Sequence, residues 1–314
     1  MRVFITGIAG FAGSHLAELA LQDGAEVTGT VLPGATTENL AGLGDAIRTL
    51  PCNLTEPGAV GRVLAEIRPD RVFHLAGISV VSTSWAQRDD VLRENLAGTF
   101  QLFEGLRATP APCLLVSSAE LYGAVPEAQQ PITESQPVAP LSPYALSKAC
   151  QELYAGYYGR AERLLIVIVR AFNHVGPRQG PGFVWSDIAR QVAAIERGKK
   201  SAVLEVGTVE TRRDFTDVRD MVRAYWLALE RGGPGEVYNA GSGRAVSIRE
   251  VIDGFLALAR QPIEVRVVPE RVRPIDLPLL LGDAGRLRAL TGWKPQIPLE
   301  QSLADVLQYW RGRV

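Results

Sequence analysis

The stretch Arg2-Val3-Phe4-Ile5-Thr6-Gly7-Ile8-Ala9-Gly10-Phe11-Ala12-Gly13-Ser14 decides how the rest of this chain is read. Arg2 to Thr6 reads as a short buried strand, and Ser14 to Gln22 as an amphipathic helix with Leu16, Leu19 and Ala20 on one side. Between them lie three glycines at Gly-x-x-Gly-x-x-Gly spacing. Strand, glycine motif, helix is the context in which such glycines point to dinucleotide binding. Gly7 permits the tight turn, Gly10 lets backbone approach a pyrophosphate, and Gly13 lets the helix lie close to the strand. The phosphates then meet the free N–H groups of the helix N-terminus, around Phe11, Ala12 and Gly13. A glycine-rich turn without a ligand is the alternative at this point.

The chain beyond this stretch keeps the same rhythm. Glu26 to Val31 reads as a second strand. An acidic residue at its end would favour NAD and an arginine NADP. Val31-Leu32-Pro33-Gly34 offers neither, so the choice between NAD and NADP stays open. Ile47 to Cys52 is a third strand, followed by Asn53 and Leu54 at the adenine edge, and Glu56 to Ile67 is helical. A fourth strand, Arg71 to Leu75, ends in Ala76-Gly77, small residues that let a cofactor lie close. A long helix from Ser84 to Arg107 carries Asn95. Cys113 to Val116 is a fifth strand ending in Ser117-Ser118-Ala119-Glu120, and Leu164 to Val169 is a continuous apolar run suited to a buried parallel strand. Alternating strands and helices over this length argue for an α/β, doubly wound parallel sheet, and hydroxyls at a strand's C-terminal end sit where such sheets bind ligands.

One helix in this series carries a chemical pair. In Ser142-Pro143-Tyr144-Ala145-Leu146-Ser147-Lys148, Ser142 suits the N-cap and Pro143 the first turn. Tyr144 and Lys148 then lie four apart on one face. A nearby ammonium favours the phenolate, so Lys148 is expected to pull the Tyr144 pKa from ~10 toward neutrality. Taken alone, the pair also fits an ordinary helix face.

After Arg170 the alternation breaks. Ala171 to Arg178 reads as a polar loop, Phe183 to Arg197 as a helix, and Val203 to Val206 and Thr211 to Phe215 as short strands. Asp217 to Leu229 is helical, Glu236 to Asn239 returns to the main sheet, and Ser247 caps a helix to Ala259. Glu264 to Val268 is a strand and Leu299 to Trp310 a closing helix. The expected division is a dinucleotide-binding unit of residues 1–172 with returning segments near 216–246, and a smaller α/β substrate-binding unit of 173–215 and 247–314.

Composition sets the outer bounds. The 314 residues are 46% hydrophobic and 21% charged, a globular balance, and a net charge of -1 argues against a nucleic-acid partner. Cys52, Cys113 and Cys150 are scattered and odd in number, against a disulfide framework or zinc site and in keeping with a reducing compartment. His15, His74 and His174 have no metal-ligand spacing, so no metal is expected. The N-terminal apolar run is too short for a signal peptide, and no run reaches the ~20 residues that span a bilayer, so a cytoplasmic protein without a membrane partner is expected.

Together, the glycine motif, Ser118, Tyr144-x-x-x-Lys148 and Arg213-Asp214-Phe215 resemble the extended short-chain dehydrogenase/reductase family, also described as the NAD-dependent epimerase/dehydratase family. The resemblance spans essentially the whole chain and implies a Rossmann-type sheet, nucleotide-diphosphate sugar substrates and NADP or NAD as cofactor. It implies that Ser118 bonds the sugar oxygen, that Tyr144 gives or takes the proton, and that Lys148 holds the nicotinamide ribose and lowers the tyrosine pKa. His174 by resemblance lies near the nicotinamide, and Leu75, Ala76, Gly77 and Asn95 belong to the cofactor side. A homodimer through the helices of Asn95 and Tyr144 is likewise implied.

Finer motifs narrow the resemblance. Phe172-Asn173-His174-Val175-Gly176-Pro177, Phe183-Val184 with Ser186-Asp187, Arg213-Asp214-Phe215-Thr216-Asp217, and Arg273-Pro274-Ile275-Asp276 look like the GDP-4-keto-6-deoxy-D-mannose reductases, which make GDP-D-rhamnose. The related GDP-mannose 4,6-dehydratases usually carry Gln-Asp where this chain has Phe11-Ala12, Arg-Asp-Trp-Gly at Arg213 to Thr216, and a lysine at Asp187. By this resemblance a GDP-sugar is the substrate, Arg213 and Arg273 hold its diphosphate, Asn173 bonds phosphate or sugar, and Val184, Asp187 and Asp276 contact the nucleoside. Glu120 stands where the dehydratases keep a base, so a 4,6-dehydratase or an epimerase is the alternative. A non-catalytic dinucleotide-binding scaffold has no need of Ser118, Tyr144 and Lys148 together.

Overall fold

The computed structural model describes residues 1–81, 83–271 and 277–314. Its first half alternates strands and helices: β1 (Arg2–Thr6), α1 (Phe11–Gln22), β2 (Glu26–Val31), β3 (Ile47–Pro51), α2 (Ala59–Ile67), β4 (Arg71–His74), α3 (Arg88–Ala108), β5 (Cys113–Ser118), α4 (Pro143–Ala161) and β6 (Ile166–Ala171). The second half continues with β7 (Asn173–Val175), α5 (Val184–Glu196), β8 (Val203–Val206), β9 (Arg212–Asp217), α6 (Val218–Arg231), β10 (Val237–Ala240), β11 (Ala245–Ser247), α7 (Ile248–Ala257), β12 (Glu264–Val267), β13 (Leu279–Leu280), α8 (Gly285–Thr291) and α9 (Leu299–Arg311).

Seven parallel strands form the main sheet in the order β10-β6-β5-β4-β1-β2-β3. The direction of strand addition reverses beside β1, and the strand tips there open the crevice where doubly wound sheets take ligands. Both faces are covered, so the inner strands are buried and mostly apolar: all six residues of β6 are buried, Arg170 being its one charged member. α1, α6 and α8 cover one face through Leu16, Met221, Trp226 and Leu287, with Trp293 just beyond α8 packed beside them. α2, α3 and α4 cover the other through Leu64, Phe103 and Tyr158.

A second core lies around Trp185, Phe215 and Phe255, where α5, α7 and α9 pack together. β9 is its central strand, pairing antiparallel with β11 and parallel with β13 and β7, while β8 and β12 form a separate pair.

Several boundaries differ from the sequence reading for local physical reasons. α1 begins at Phe11, inside the glycine motif, because Gly10 is already its N-cap. α2 starts at Ala59 because Gly58 takes a left-handed turn at φ 72°. β5 runs on to Ser118, so both serines belong to the strand. The expected polar loop at 171–178 contains β7, which finds its partner in β9, a long-range pairing with no local signal. Ser142 and Ser247 cap as expected, the latter in a full capping box with Glu250.

Candidate active site

The tip of β1 shows whether a dinucleotide fits. Gly7 turns at φ 72°, and a Cβ there would stand 2.9 Å from the Ala76 Cα, so the loops after β1 and β4 abut. A Cβ on Gly13 would fall 2.3 Å from the Gly7 carbonyl oxygen, which only glycine avoids. α1 opens with no side-chain cap and no acidic residue in its first turn. Gly10 is exposed and Phe11 and Ala12 are half-buried. This bare helix N-terminus behind a glycine-rich loop suits a pyrophosphate. Phe11 also stacks on His174, with ring centroids 5.6 Å apart and planes at 10°. His174 Nδ1 lies 3.3 Å from the Phe172 carbonyl, and burial lowers its pKa.

The tip of β4 is held by a buried polar network. Asn95 accepts from the Ile78 N–H at 2.8 Å and donates to the Ile78 carbonyl at 3.1 Å, clamping the turn after Leu75, Ala76 and Gly77. The Asn95 amide also donates to Ser147 Oγ at 2.9 Å, and Ser147 donates to the Tyr144 carbonyl at 2.7 Å. Behind this clamp, His74 bridges Thr6 at 2.7 Å and Thr99 at 2.8 Å. Burial and the Lys148 charge push the His74 pKa down to about 3, so the ring stays neutral. Farther out, Asn53 accepts from the Thr55 N–H and hydroxyl in a local turn, and Leu54 packs toward Gly98 on α3.

Ser118, Tyr144 and Lys148 meet at the tip of β5. Ser142 accepts from the Ala145 N–H at 3.1 Å, and Pro143 fills the first turn of α4. That start aims Tyr144 at Ser118, whose hydroxyl hydrogen-bonds the phenol. The same Ser118 oxygen accepts from the Glu120 N–H at 3.2 Å. Lys148 donates to the Val116 carbonyl at 2.9 Å, and its Nζ lies 5.9 Å from the Tyr144 ring centre.

The electrostatics correct the sequence expectation for Tyr144. Its pKa is raised to about 12: burial dominates, the Ser118 hydrogen bond opposes it, and the Glu120 charge adds to it. Burial outweighs any pull from Lys148, whose ammonium donates to the Val116 carbonyl, its Nζ 5.9 Å from the ring centre. Burial pushes Lys148 itself down to about 8, with Glu152 resisting. The phenol therefore stays protonated at neutral pH.

The remaining described candidates belong to β7, α5 and β9. Asn173 and His174 sit on β7 opposite Phe215 and Thr216 of β9, and the Asn173 Oδ1 is buried without a partner among the described residues. Val184 opens α5, and Asp187 accepts from the Gly182 N–H at 3.1 Å. Arg213 is buried in β9 and donates to the Leu277 carbonyl at 2.6 Å. Asp214 beside it accepts from the N–H groups of Ser242, Gly243 and Gly282 and from the Ser242 hydroxyl. Arg273 and Asp276 lie outside the described residues. Among the described residues no group of acids, histidines and cysteines could hold a metal, and no helix is long and apolar enough to cross a membrane.

Sequence reasoning missed the network of Thr6, His74, Thr99 and Gln151, and a buried pair of Glu152 with Arg170. Glu152 had one signal, its place one turn beyond Lys148 on α4. Arg170 had none.

Comparison with known proteins covers essentially the whole chain. A family model described as GDP-mannose 4,6 dehydratase matches residues 4–306. A GDP-6-deoxy-D-mannose reductase of Pseudomonas aeruginosa is 36% identical over 315 residues, covering 100% of this chain and 98% of the relative. Among solved structures, RMD from Pseudomonas aeruginosa complexed with NADPH matches with a TM-score of 0.85 at 35% identity, covering 100% of this chain and 99% of that one. The UDP-glucose 4-epimerase of Thermus thermophilus in complex with NAD matches with a TM-score of 0.88 at 31% identity, covering 100% of each chain.

Proposed function

The chain belongs to the GDP-mannose 4,6-dehydratase family, and from that premise we propose that it reduces the C4 ketone of GDP-4-keto-6-deoxy-D-mannose to GDP-D-rhamnose with NADPH or NADH. The carrying observation is the Tyr144 phenol, buried, hydrogen-bonded to Ser118 and held protonated with a pKa of about 12. Reduction of a ketone needs a proton donor at the carbonyl oxygen. A forming alkoxide is a base comparable to hydroxide, whose parent water has a pKa of ~15.7, so a phenol at about 12 still releases its proton downhill. Oxidation of an alcohol would need the phenolate instead, the form that burial disfavours.

The bound nicotinamide coenzyme supplies the hydride, and the glycine loop with the N-terminus of α1 suits its pyrophosphate. Ser118 orients the carbonyl oxygen and shares its developing charge. Lys148, while an ammonium, favours the phenolate that Tyr144 becomes after giving up its proton. Arg213 suits a diphosphate through its planar guanidinium. The overall fold does not select the substrate, since a reductase and an epimerase superpose about equally well. Phe11, packed on His174, and Asp187 at the start of α5 support the reductase by resemblance.

A second reading, a GDP-mannose 4,6-dehydratase or another nucleotide-sugar epimerase, is favoured by Glu120, whose charge reaches Tyr144. Incubation with GDP-mannose and no reductant separates the two. Conversion to a 4-keto sugar would overturn the reductase reading, whereas NADPH oxidation that depends on the keto sugar would carry it.

We also propose a cytoplasmic homodimer. The three cysteines are free thiols, which suits a reducing compartment. Leu146, Leu153 and Tyr157 form an exposed stripe along α4, and Phe100 is exposed on the neighbouring α3. Light scattering should give twice the chain mass for the wild type and a single chain mass for Leu153→Asp. A monomeric wild type removes this reading.

A further inference from the structure

Beneath the tip of β5 lies an ion pair that the proposed reaction does not use. Glu152 stands one turn after Lys148 on α4, and Arg170 lies on β6 directly opposite Ser117. The side chains are 11% and 8% exposed, and the closest nitrogen to oxygen distance is 2.7 Å. Arg170 meets the carboxylate through both Nε and Nη2, and the Ser117 hydroxyl donates to it at 2.5 Å. From its other arm Arg170 donates to the Tyr122 hydroxyl at 3.0 Å, and Tyr122 donates to Asn239 on β10 at 2.7 Å. Desolvating such a pair is expensive, and well-packed apolar side chains would often hold the fold as well or better.

The surroundings of Lys148 suggest what the pair does. From its own helix Lys148 faces Tyr144 and Glu152; from β4 it faces His74, which is neutral; from β5 it faces the Val116 carbonyl. Arg170 on β6 stands behind Glu152. Burial disfavours the ammonium, and Glu152 is the charge that opposes burial. Ser117, which ties Glu152 to β5, is the chain neighbour of Ser118.

We propose that Glu152 and Arg170 are positioning residues for proton delivery: Glu152 keeps Lys148 in its ammonium form, and Arg170 with Ser117 fixes Glu152 beneath the strand tip that carries Ser118. This rests on the reading of Ser118, Tyr144 and Lys148 as the proton-delivering group. Among the described residues Glu152 is the charge that supports the ammonium, and removing it withdraws that support. Removing Arg170 leaves the Glu152 charge in place and takes away its counter-ion. The two changes therefore act on Lys148 in different directions, while loss of packing alone would move both variants alike.

The test is the pH profile of kcat for keto-sugar reduction in wild type, Glu152→Gln, Arg170→Met and the double variant. The alkaline limb of the wild type should fall near pH 8, where Lys148 discharges. Glu152→Gln should move that limb down by about one pH unit, the scale on which a neighbouring charge acts. The double variant, which leaves no unpaired charge and stands in if the single variant fails to fold, should move the same way. Arg170→Met should not move the limb down. An unmoved limb in the variants lacking Glu152, or a downward shift in Arg170→Met, overturns the inference. A wild type that never oxidises NADPH with the keto sugar overturns the proposed function instead.

Discussion

Replacing Lys148 with methionine should make the protein more stable while removing its chemistry. Burial pulls the Lys148 pKa from 10.5 down to about 8. Between these values the unfolded chain binds more protons than the folded one, so this group makes stability rise with pH across that window. Below about pH 8 both states hold the proton and the whole cost is present. A gap of about 2.5 pH units corresponds to roughly 3 kcal/mol. Methionine fills similar space without charge. Loss of the hydrogen bond to the Val116 carbonyl takes back about 1 kcal/mol. Glu152 keeps Arg170 and Ser117 as partners. The net gain at pH 7 is then about 2 kcal/mol, or roughly 4 °C in Tm for a chain of this size. Thermal melts of both proteins at pH 7 and pH 10 read this directly, and the advantage should shrink at the higher pH. Turnover should fall at both pH values. A variant less stable at pH 7, or a stability difference that ignores pH, would refute the claim that burial strains this ammonium.

Tyr144→Phe keeps the packing and removes the acid, so kcat should fall by ~10²–10⁴ while NADPH affinity by fluorescence titration stays within a few-fold; unchanged turnover would reject the assigned role. Gly13→Ala sets a Cβ 2.3 Å from the Gly7 carbonyl oxygen and should abolish measurable NADPH binding and lower Tm. Asp214→Ala orphans three N–H groups and a hydroxyl, and urea unfolding should report a loss of at least about 3 kcal/mol; a loss below about 1 kcal/mol would mean those loops find other partners.

Much of the site was legible because its residues sit in local patterns. Gly7, Gly10 and Gly13 are punctuation between a strand and a helix, and Tyr144 and Lys148 share a face by helical period. Ser142 and Ser247 announced their helices through capping chemistry that needs only three or four neighbouring residues. β7 was illegible because three residues form a strand only when a distant partner supplies the hydrogen bonds. The Phe11 and His174 stack joins the first helix to a strand of the second half, and no local pattern in either predicts it.

Charge was the property least available from sequence. Spacing put Tyr144 and Lys148 on one helix face and suggested that the ammonium acidifies the phenol. Tertiary packing buried both, turned Lys148 to the Val116 carbonyl, brought neutral His74 in from β4, and set Arg170 of β6 against Glu152. The sequence by itself determined the alternation, the glycine turn, the caps and the placing of Tyr144 and Lys148 on one helix face, because these follow from steric rules and short-range periods. Only the tertiary structure decided the protonation states, because solvation and Coulomb terms depend on neighbours far away along the chain.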